Sequence, residues 1–446
     1  MMTTIKIDAN QKLGRIKPMH SVGQPPLFYS DTKLFSYLKE ANIPYSRLHD
    51  VGGRFGGGVY VDIPNVFRDF DADENDPASY DFAFTDILIK ALMENECAPV
   101  YRLGVTIENA HKIKAYRIFP PKDNEKWARI CEHIIRHYNE GWADGFHYGI
   151  TYWEIWNEPD GHPDIEENAM WKGTKEQYFD LYRVTSKHLR ACFGDTIKIG
   201  GYASCGFYAV KEKQDVTGAA FGELDKKLTN WERRMTYFME FFHDFVDLVR
   251  EEKLPWDFFS HHSYASVEDN LKMQAYCEQY LEEHGFGDVE IHLNEWNTHP
   301  KREDKGKRAP CANAVALLCA MQNTKMEMMC YYDLRIAAGG YSGFFNPLTI
   351  EPFCIYYGFK AFGKLYALGT QVACACDNEK VYALAATDGK TLGVLVSNIG
   401  EDTEVSMSMP AGAKAYLVDE AHMLEEVKLD ASKFTLEKDQ VVYFEL

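Results

Sequence analysis

The sequence lacks a long apolar run. None of its hydrophobic stretches approaches the ~18 residues that a membrane-spanning helix needs, so no span is expected. The opening stretch, MMTTIKIDANQKLGRIKPMH, has no basic segment followed by an apolar one, so no secretory leader is expected either. Positive charge is scarce: 48 Lys and Arg stand against 67 Asp and Glu, a net charge of −19. Nucleic acid and anionic membranes repel such a chain, and neither is an expected partner. A neutral or cationic substrate suits it better. The eleven cysteines are odd in number and scattered. Cys374 and Cys376 form a C-x-C in an expected strand, with no second pair at zinc spacing. Cys97, Cys131, Cys192 and Cys319 sit in apolar surroundings, as small core residues do. No metal and no cofactor are expected, and the chain reads as a reduced, cytoplasmic protein.

What is present is a repeating alternation. Short apolar runs at 19–23, 45–49, 99–103, 151–156, 197–202, 258–262, 290–293 and 328–332 read as strands. Helical segments follow them at 31–41 (with Asp31 as N-cap), 82–94, 124–138, 175–193, 229–252, 268–283, 311–324 and 352–368. In the third of these, Trp127, Ile130, Cys131, Ile134, Ile135 and Tyr138 recur with helical spacing. Eight strand–helix units predict an α/β fold, the (β/α)8 TIM barrel. The rival, an open doubly wound sheet, would carry fewer strands and a phosphate-binding turn after the first.

After residue 370 the helical period stops. Alternating segments at 381–387, 391–397, 403–409, 413–419 and 441–446 predict a small C-terminal antiparallel β domain, with a hairpin turn at Asp388-Gly389. The expected division is a catalytic barrel over 15–369 and an accessory β-sandwich over 370–446, with 1–14 a candidate extra strand. The tail would support the barrel or mediate homo-oligomer contacts. Long βα loops at 50–80 and 203–228 would build the mouth of the barrel. The first holds GGRFGGG, which lacks the Lys-Ser/Thr of a phosphate loop and reads as substrate-shaping.

Two strand ends carry the chemistry. In TYWEIWNEPD an apolar strand ends in Asn157-Glu158-Pro159, where proline stops the sheet ladder. In EIHLNEWN, Glu295 follows a buried-type strand. Cleaving an acetal between sugars takes two carboxyl groups, one protonated for the leaving oxygen and one to attack the anomeric carbon or activate water. The fourth and seventh strands of a narrow barrel aim two side chains at one sugar. Glu154, deeper on the fourth strand, reads as an interior carboxylate paired with a basic residue. Trp296, Trp156, Tyr341 and Phe344 are candidate sugar-facing aromatics, with core packing the default for Trp156. Asp160 and His162 are candidates for the leaving-group side.

With these motifs the chain resembles glycoside hydrolase clan A, and most closely family 39, the β-xylosidase and α-L-iduronidase family. Arg47-Leu48-His49 and His262-Ser263-Tyr264, at the second and sixth strand ends, support the resemblance over nearly the full length. It implies Glu158 as acid/base, Glu295 as nucleophile and Asn157 as the residue bonding the sugar 2-hydroxyl. It also implies substrate-site roles for Arg47 and Tyr264 beside the nucleophile. His49, His262, Trp296 and Asp333 are further candidate contacts. Burial near a second carboxylate predicts a raised pKa for Glu158. One departure stands out: Tyr331-Tyr332-Asp333 replaces the tryptophan that many clan members carry at the eighth strand end, so Asp333 is a candidate contact to a hydroxyl or amino group. The expected activity is retaining, exo-acting hydrolysis of short oligosaccharides, most like a β-xylosidase. A β-glucosidase, β-galactosidase, α-L-arabinofuranosidase or α-L-iduronidase is the alternative, with a non-catalytic carbohydrate-binding barrel or a metal-dependent barrel enzyme as readings of another class.

Overall fold

A computed structural model describes residues 2–27, 31–49, 51, 61–106, 118–211, 229–337, 339–410 and 412–446. The glycine-rich segment 52–58 and parts of both long βα loops lie outside the described residues. After β1 (Met2–Arg15), eight parallel strands close into a barrel in chain order: β2 (Ser21–Gly23), β3 (Tyr45–Leu48), β4 (Ala98–Leu103), β5 (Tyr152–Ile155), β6 (Lys198–Ser204), β7 (Phe258–Ser263), β8 (Glu290–Trp296) and β9 (Met326–Tyr332). The last pairs with the first, Val22 opposite Tyr331. The fold is therefore the (β/α)8 barrel that the alternation implies.

Between and after these strands run α1 (Ser36–Glu40), α2 (Ala83–Glu94), α3 (Asn124–Asn139), α4 (Lys175–Phe193), α5 (Asn230–Glu252), α6 (Val267–Glu283), α7 (Arg308–Met321) and α8 (Cys354–Leu368). Their starts follow local chemistry. Thr174 with Gln177, and Thr229 with Glu232, close capping boxes on α4 and α5. Asp123 and Ser266 accept amides of α3 and α6. The helix expected over 31–41 is shorter: Asp31 accepts the Lys33 amide, a 3-10 turn covers Lys33–Phe35, and only then does α1 begin.

The remaining strands are β10 (Thr370–Cys376), β11 (Val381–Thr387), β12 (Leu392–Asn398), β13 (Thr403–Met407), β14 (Lys414–Val418), β15 (Met423–Val427), β16 (Lys433–Leu436) and β17 (Val441–Glu445). With β1 they form one nine-stranded sheet, ordered β15-β14-β17-β12-β11-β10-β1-β13-β16. The sheet folds back on itself. Phe434 of β16 and Phe444 of β17 are far apart in strand order, yet their rings lie 5.0 Å apart around a shared apolar core. The outer face of β11, β12 and β17 packs instead on α7 and α8, in the same apolar cluster as the barrel. This explains the sequence of α7, RAPCANAVALLCAM, which has no polar stripe: it is covered on both sides. At Gly358 of α8 an added Cβ would sit 2.6 Å from Cys311 Sγ, so glycine permits the close helix approach.

Candidate active site

Inside the barrel mouth, one buried arginine organises three side chains. Arg47 of β3 donates through Nε to Glu154 at 2.8 Å, through Nη2 to Asn157 Oδ1 at 2.6 Å, and through Nη1 to Glu295 at 3.2 Å. Burial works against its charge, but Glu154 and Glu295 outweigh that and raise its pKa above the ordinary arginine value. Glu154 is fully buried and also accepts from Ser260 Oγ at 2.6 Å and from Asn294 Nδ2. A layer usually filled by branched apolar side chains is here a satisfied polar network.

The backbone departs from regular strand geometry at this depth. Side chains normally alternate across a strand, yet Asn294 and Glu295 both face the barrel interior. The register between β7 and β8 shifts from His261–Leu293 to His262–Glu295, a bulge of the kind that re-aims side chains at active sites. At the end of β5, Trp156 (φ 75°) and Glu158 (φ 48°) adopt the left-handed region that bulky residues avoid. The Glu158 amide donates to Ala203 O at 3.0 Å, tying that strand end to the β6 side. Such outliers mark places where surrounding structure dictates the conformation.

The two glutamates meet across His262. One carboxylate oxygen of Glu158, one of Glu295 and one His262 nitrogen lie within 4.8 Å of one another. His262 Nδ1 is 2.7 Å from Glu158 Oε1, and its Nε2 is 3.7 Å from Glu295 Oε2 with no hydrogen-bond partner among the described residues. Burial lowers the His262 pKa, but the charges of Glu295 and Glu158 outweigh it and hold the ring above its ordinary 6.5. The partner moves the other way. Burial pushes the Glu158 carboxyl up, but the hydrogen bond and charge of His262, together with Arg47, hold it below the usual 4.5. This corrects the raised pKa expected for Glu158: a histidine 104 positions downstream supplies the missing charge. Tyr264 donates its hydroxyl to Glu295 Oε1 at 2.5 Å, and burial plus the Glu295 charge raise its pKa well above 10, keeping the donor in place.

Arg47, Asn157, Glu158, His262, Tyr264 and Glu295 thus converge. His49 lies beside them, fully inside the protein. Its Nδ1 accepts from Arg102 at 3.2 Å, and burial with the Arg102 and Arg47 charges keeps it neutral. Other sequence candidates are placed elsewhere. Trp296 has no exposed face: its ring lies in the layer between barrel and helices, 5.1 Å from Tyr331 and 6.3 Å from Phe359. Strand alternation turns it outward when Glu295 points in, so it is a packing residue and not a sugar contact. Phe344 is buried in the same layer. Asp333 is fully buried and its carboxylate accepts from Arg335, at 3.0 Å from Nε and 2.8 Å from Nη2, so it positions that arginine and presents no surface to a substrate hydroxyl or amine. Arg335 in turn donates to Tyr332 OH at 3.0 Å. Asp160 accepts from Ser204 Oγ and the Cys205 amide; burial, with the Glu158 charge adding, raises it to about 7. His162 pairs with Asn230. Tyr341 is 44% exposed and stands 5.0 Å from the Tyr264 ring, at the pocket rim.

Sequence reasoning missed Ser260, Asn294 and Asn297. The Asn297 amide donates to Tyr331 OH, Tyr332 O and Tyr341 O and so fixes the eighth strand end. A strand-end asparagine two residues past Glu295 was the available signal.

An eight-stranded barrel with two facing glutamates at the ends of its fourth and seventh strands is the arrangement that the resemblance to glycoside hydrolase clan A implies. The sequence model of glycosyl hydrolases family 39 matches residues 3–333, and the chain belongs to that family. It is 24% identical over 246 residues to a β-xylosidase from Geobacillus stearothermophilus, covering 52% of this chain and 40% of that one. A β-xylosidase from Caldicellulosiruptor saccharolyticus is 27% identical over 157 residues, 34% of this chain and 30% of that one. The matches thus span less than half the length of either relative. Among solved structures, a glucosidase from Croceicoccus marinus superposes with a TM-score of 0.77 at 18% identity, covering 100% of this chain and 99% of the other. A family 39 β-xylosidase from Caulobacter crescentus gives 0.67 at 19% identity over 99% of each chain. These likenesses establish the shared fold. No helix among the described residues is long and apolar enough to cross a membrane.

Proposed function

We propose that the protein is a retaining, exo-acting glycoside hydrolase that cleaves short neutral oligosaccharides by double displacement, with β-xylosides as the first substrates to try. The observation that carries this reading is that one oxygen of Glu158 and one of Glu295 lie within 4.8 Å of each other, with His262 bridging the pair. Retaining enzymes hold the pair about 5–5.5 Å apart, whereas inverting ones leave about 6.5–9.5 Å for a water. The family 39 relatives named β-xylosidase support the choice of sugar. The fold neighbour named a glucosidase makes β-glucosides the second arm of any screen. Cytoplasmic location belongs to the same reading, supported by eleven cysteines that are all free thiols.

In the first step Glu295, ionised beside Arg47 and Tyr264, attacks the anomeric carbon while Glu158 protonates the departing oxygen. A glycosyl ester forms on Glu295 as the acetal bond breaks. In the second step Glu158 takes a proton from water, water attacks the same carbon, and the ester bond breaks to free the sugar and Glu295. The Glu158–His262 pair holds one shared proton for the first step. Once Glu295 is esterified, the charge 3.7 Å from His262 Nε2 is gone. The pair then holds a proton less tightly, and Glu158 stays ionised to serve as base.

Two tests follow. Glu158→Ala should slow cleavage of glycosides with poor leaving groups by about 10²–10⁴-fold, and azide should restore turnover of activated aryl glycosides. Uniform slowing without azide rescue would remove Glu158 from the acid/base role. His262→Gln should alter the pH profile. The one-proton pair persists until the pH passes the raised His262 value, so the basic limb of kcat/KM should lie above 6.5 in the parent. In the variant Glu158 titrates alone, and that limb should move to lower pH. An unmoved limb would mean that His262 does not govern the proton.

A further inference from the structure

The first turn of α5 presents an exposed aromatic that the mechanism above does not use. Trp231 is 42% exposed, although the tryptophans around β5 are fully buried. It is held in place. The Arg234 guanidinium lies 5.6 Å over its ring, and Arg234 Nε donates to Gly161 O at 2.9 Å. Asn230 Oδ1 meets His162 Nε2 at 2.9 Å. The start of α5 is thereby fastened to residues 161–162, the segment that directly follows Glu158 and Pro159, and the Gly161 amide donates back to Glu158 O at 3.1 Å.

On its other side the Trp231 ring stands 5.5 Å from the Tyr208 ring. Tyr208 borders the site: its hydroxyl accepts the Tyr264 amide at 2.9 Å, and burial together with the charges of Cys205, Glu158 and Glu295 raises its pKa. Trp231 is therefore one ring removed from Tyr264, whose hydroxyl donates to Glu295. Its attachments run to the Glu158 segment, whereas Tyr341, another exposed aromatic, packs against Tyr264 beside Glu295. The departing group leaves on the side of the carboxyl that protonates it. Pyranose rings present apolar C–H faces that an indole covers well, and the exposed Asn230 amide beside it supplies a donor for hydroxyls.

We propose that Trp231 is the stacking platform of a second sugar subsite, on the leaving-group side of Glu158. The protein then selects substrates whose departing group is itself a sugar, disaccharides and short oligosaccharides. The inference rests on Glu158 being the acid, so its test compares leaving groups. Trp231→Ala and Trp231→Tyr are assayed on xylobiose and β-xylosyl fluoride, and on cellobiose and β-glucosyl fluoride. Fluoride is too small to reach Trp231. Trp231→Ala should lower kcat/KM for the disaccharide about ten- to thirtyfold, mainly through KM, and leave the fluoride within about twofold. Trp231→Tyr should recover most of the loss. Equal effects on disaccharide and fluoride, or no effect on the disaccharide, would overturn the subsite while the glycosidase reading stands. A parent protein inactive on both disaccharides and both fluorides would overturn the glycosidase reading itself, and the subsite with it.

Discussion

Glu295→Gln should all but abolish turnover, lowering kcat on every glycoside by about 10⁴–10⁶-fold. The substitution keeps the shape of the side chain. Tyr264 can still donate to its oxygen, and Arg47 keeps Glu154 and Asn157 as partners. What disappears is the negative charge that attacks the anomeric carbon. Mass spectrometry of the parent with an activated glycoside should show a covalent adduct on the peptide containing Glu295, and the variant should show none. Unlike the loss at Glu158, this one should not depend on the leaving group. Normal rates, or an adduct on a different carboxylate, would sink the assignment.

The second large effect is on stability. Arg47→Met should destabilise the protein by about 3–5 kcal/mol, because it leaves buried carboxylates without their cation. Arg47 and Glu154 have side-chain exposures of 1% and 0%. Glu154 would retain only Ser260 and Asn294, neither of them charged. Adding Glu154→Gln to Arg47→Met should recover a substantial part of the loss, since the charge left stranded is then gone as well. Denaturant unfolding of the parent, both single variants and the double variant measures the coupling. Strictly additive losses would show that the two residues do not act as a unit.

These expectations draw on features that were unequally legible. The barrel could be read because strands buried on both faces appear as short apolar runs, and because Trp127 to Tyr138 mark a helix face so regularly. The two glutamates stood out because Pro159 ends one strand and a buried run leads into the other. The tail was harder. β15, MLEEV, lies at an edge of the sheet and shows no alternation, and β16 is only four residues long. Within the site, the protonation of Glu158 depends on His262, whose contact no local pattern in the sequence reveals. The residue type of Trp296 suggests a sugar contact, but simple alternation from Glu295 turns it outward. The bulge that brings Asn294 and Glu295 to the same side left no mark in the sequence.

β1 sits inside its sheet, between β10 and β13, with Ile5 opposite both Cys376 and Met407. During synthesis it emerges ahead of the whole barrel, and its neighbours emerge after it. Until they do, its amides and carbonyls have no strand to pair with, a span of some of the longest loop closures in the chain. The barrel has its eight strands before this can happen, so assembly of the sheet is the step that joins β1 to the strands that follow the barrel. A strand kept waiting in this way is open to unwanted pairing with a neighbouring nascent chain. The alternation of Lys6 and Asp8 with Ile5 and Ile7 puts charge on one face of that exposed edge while it waits.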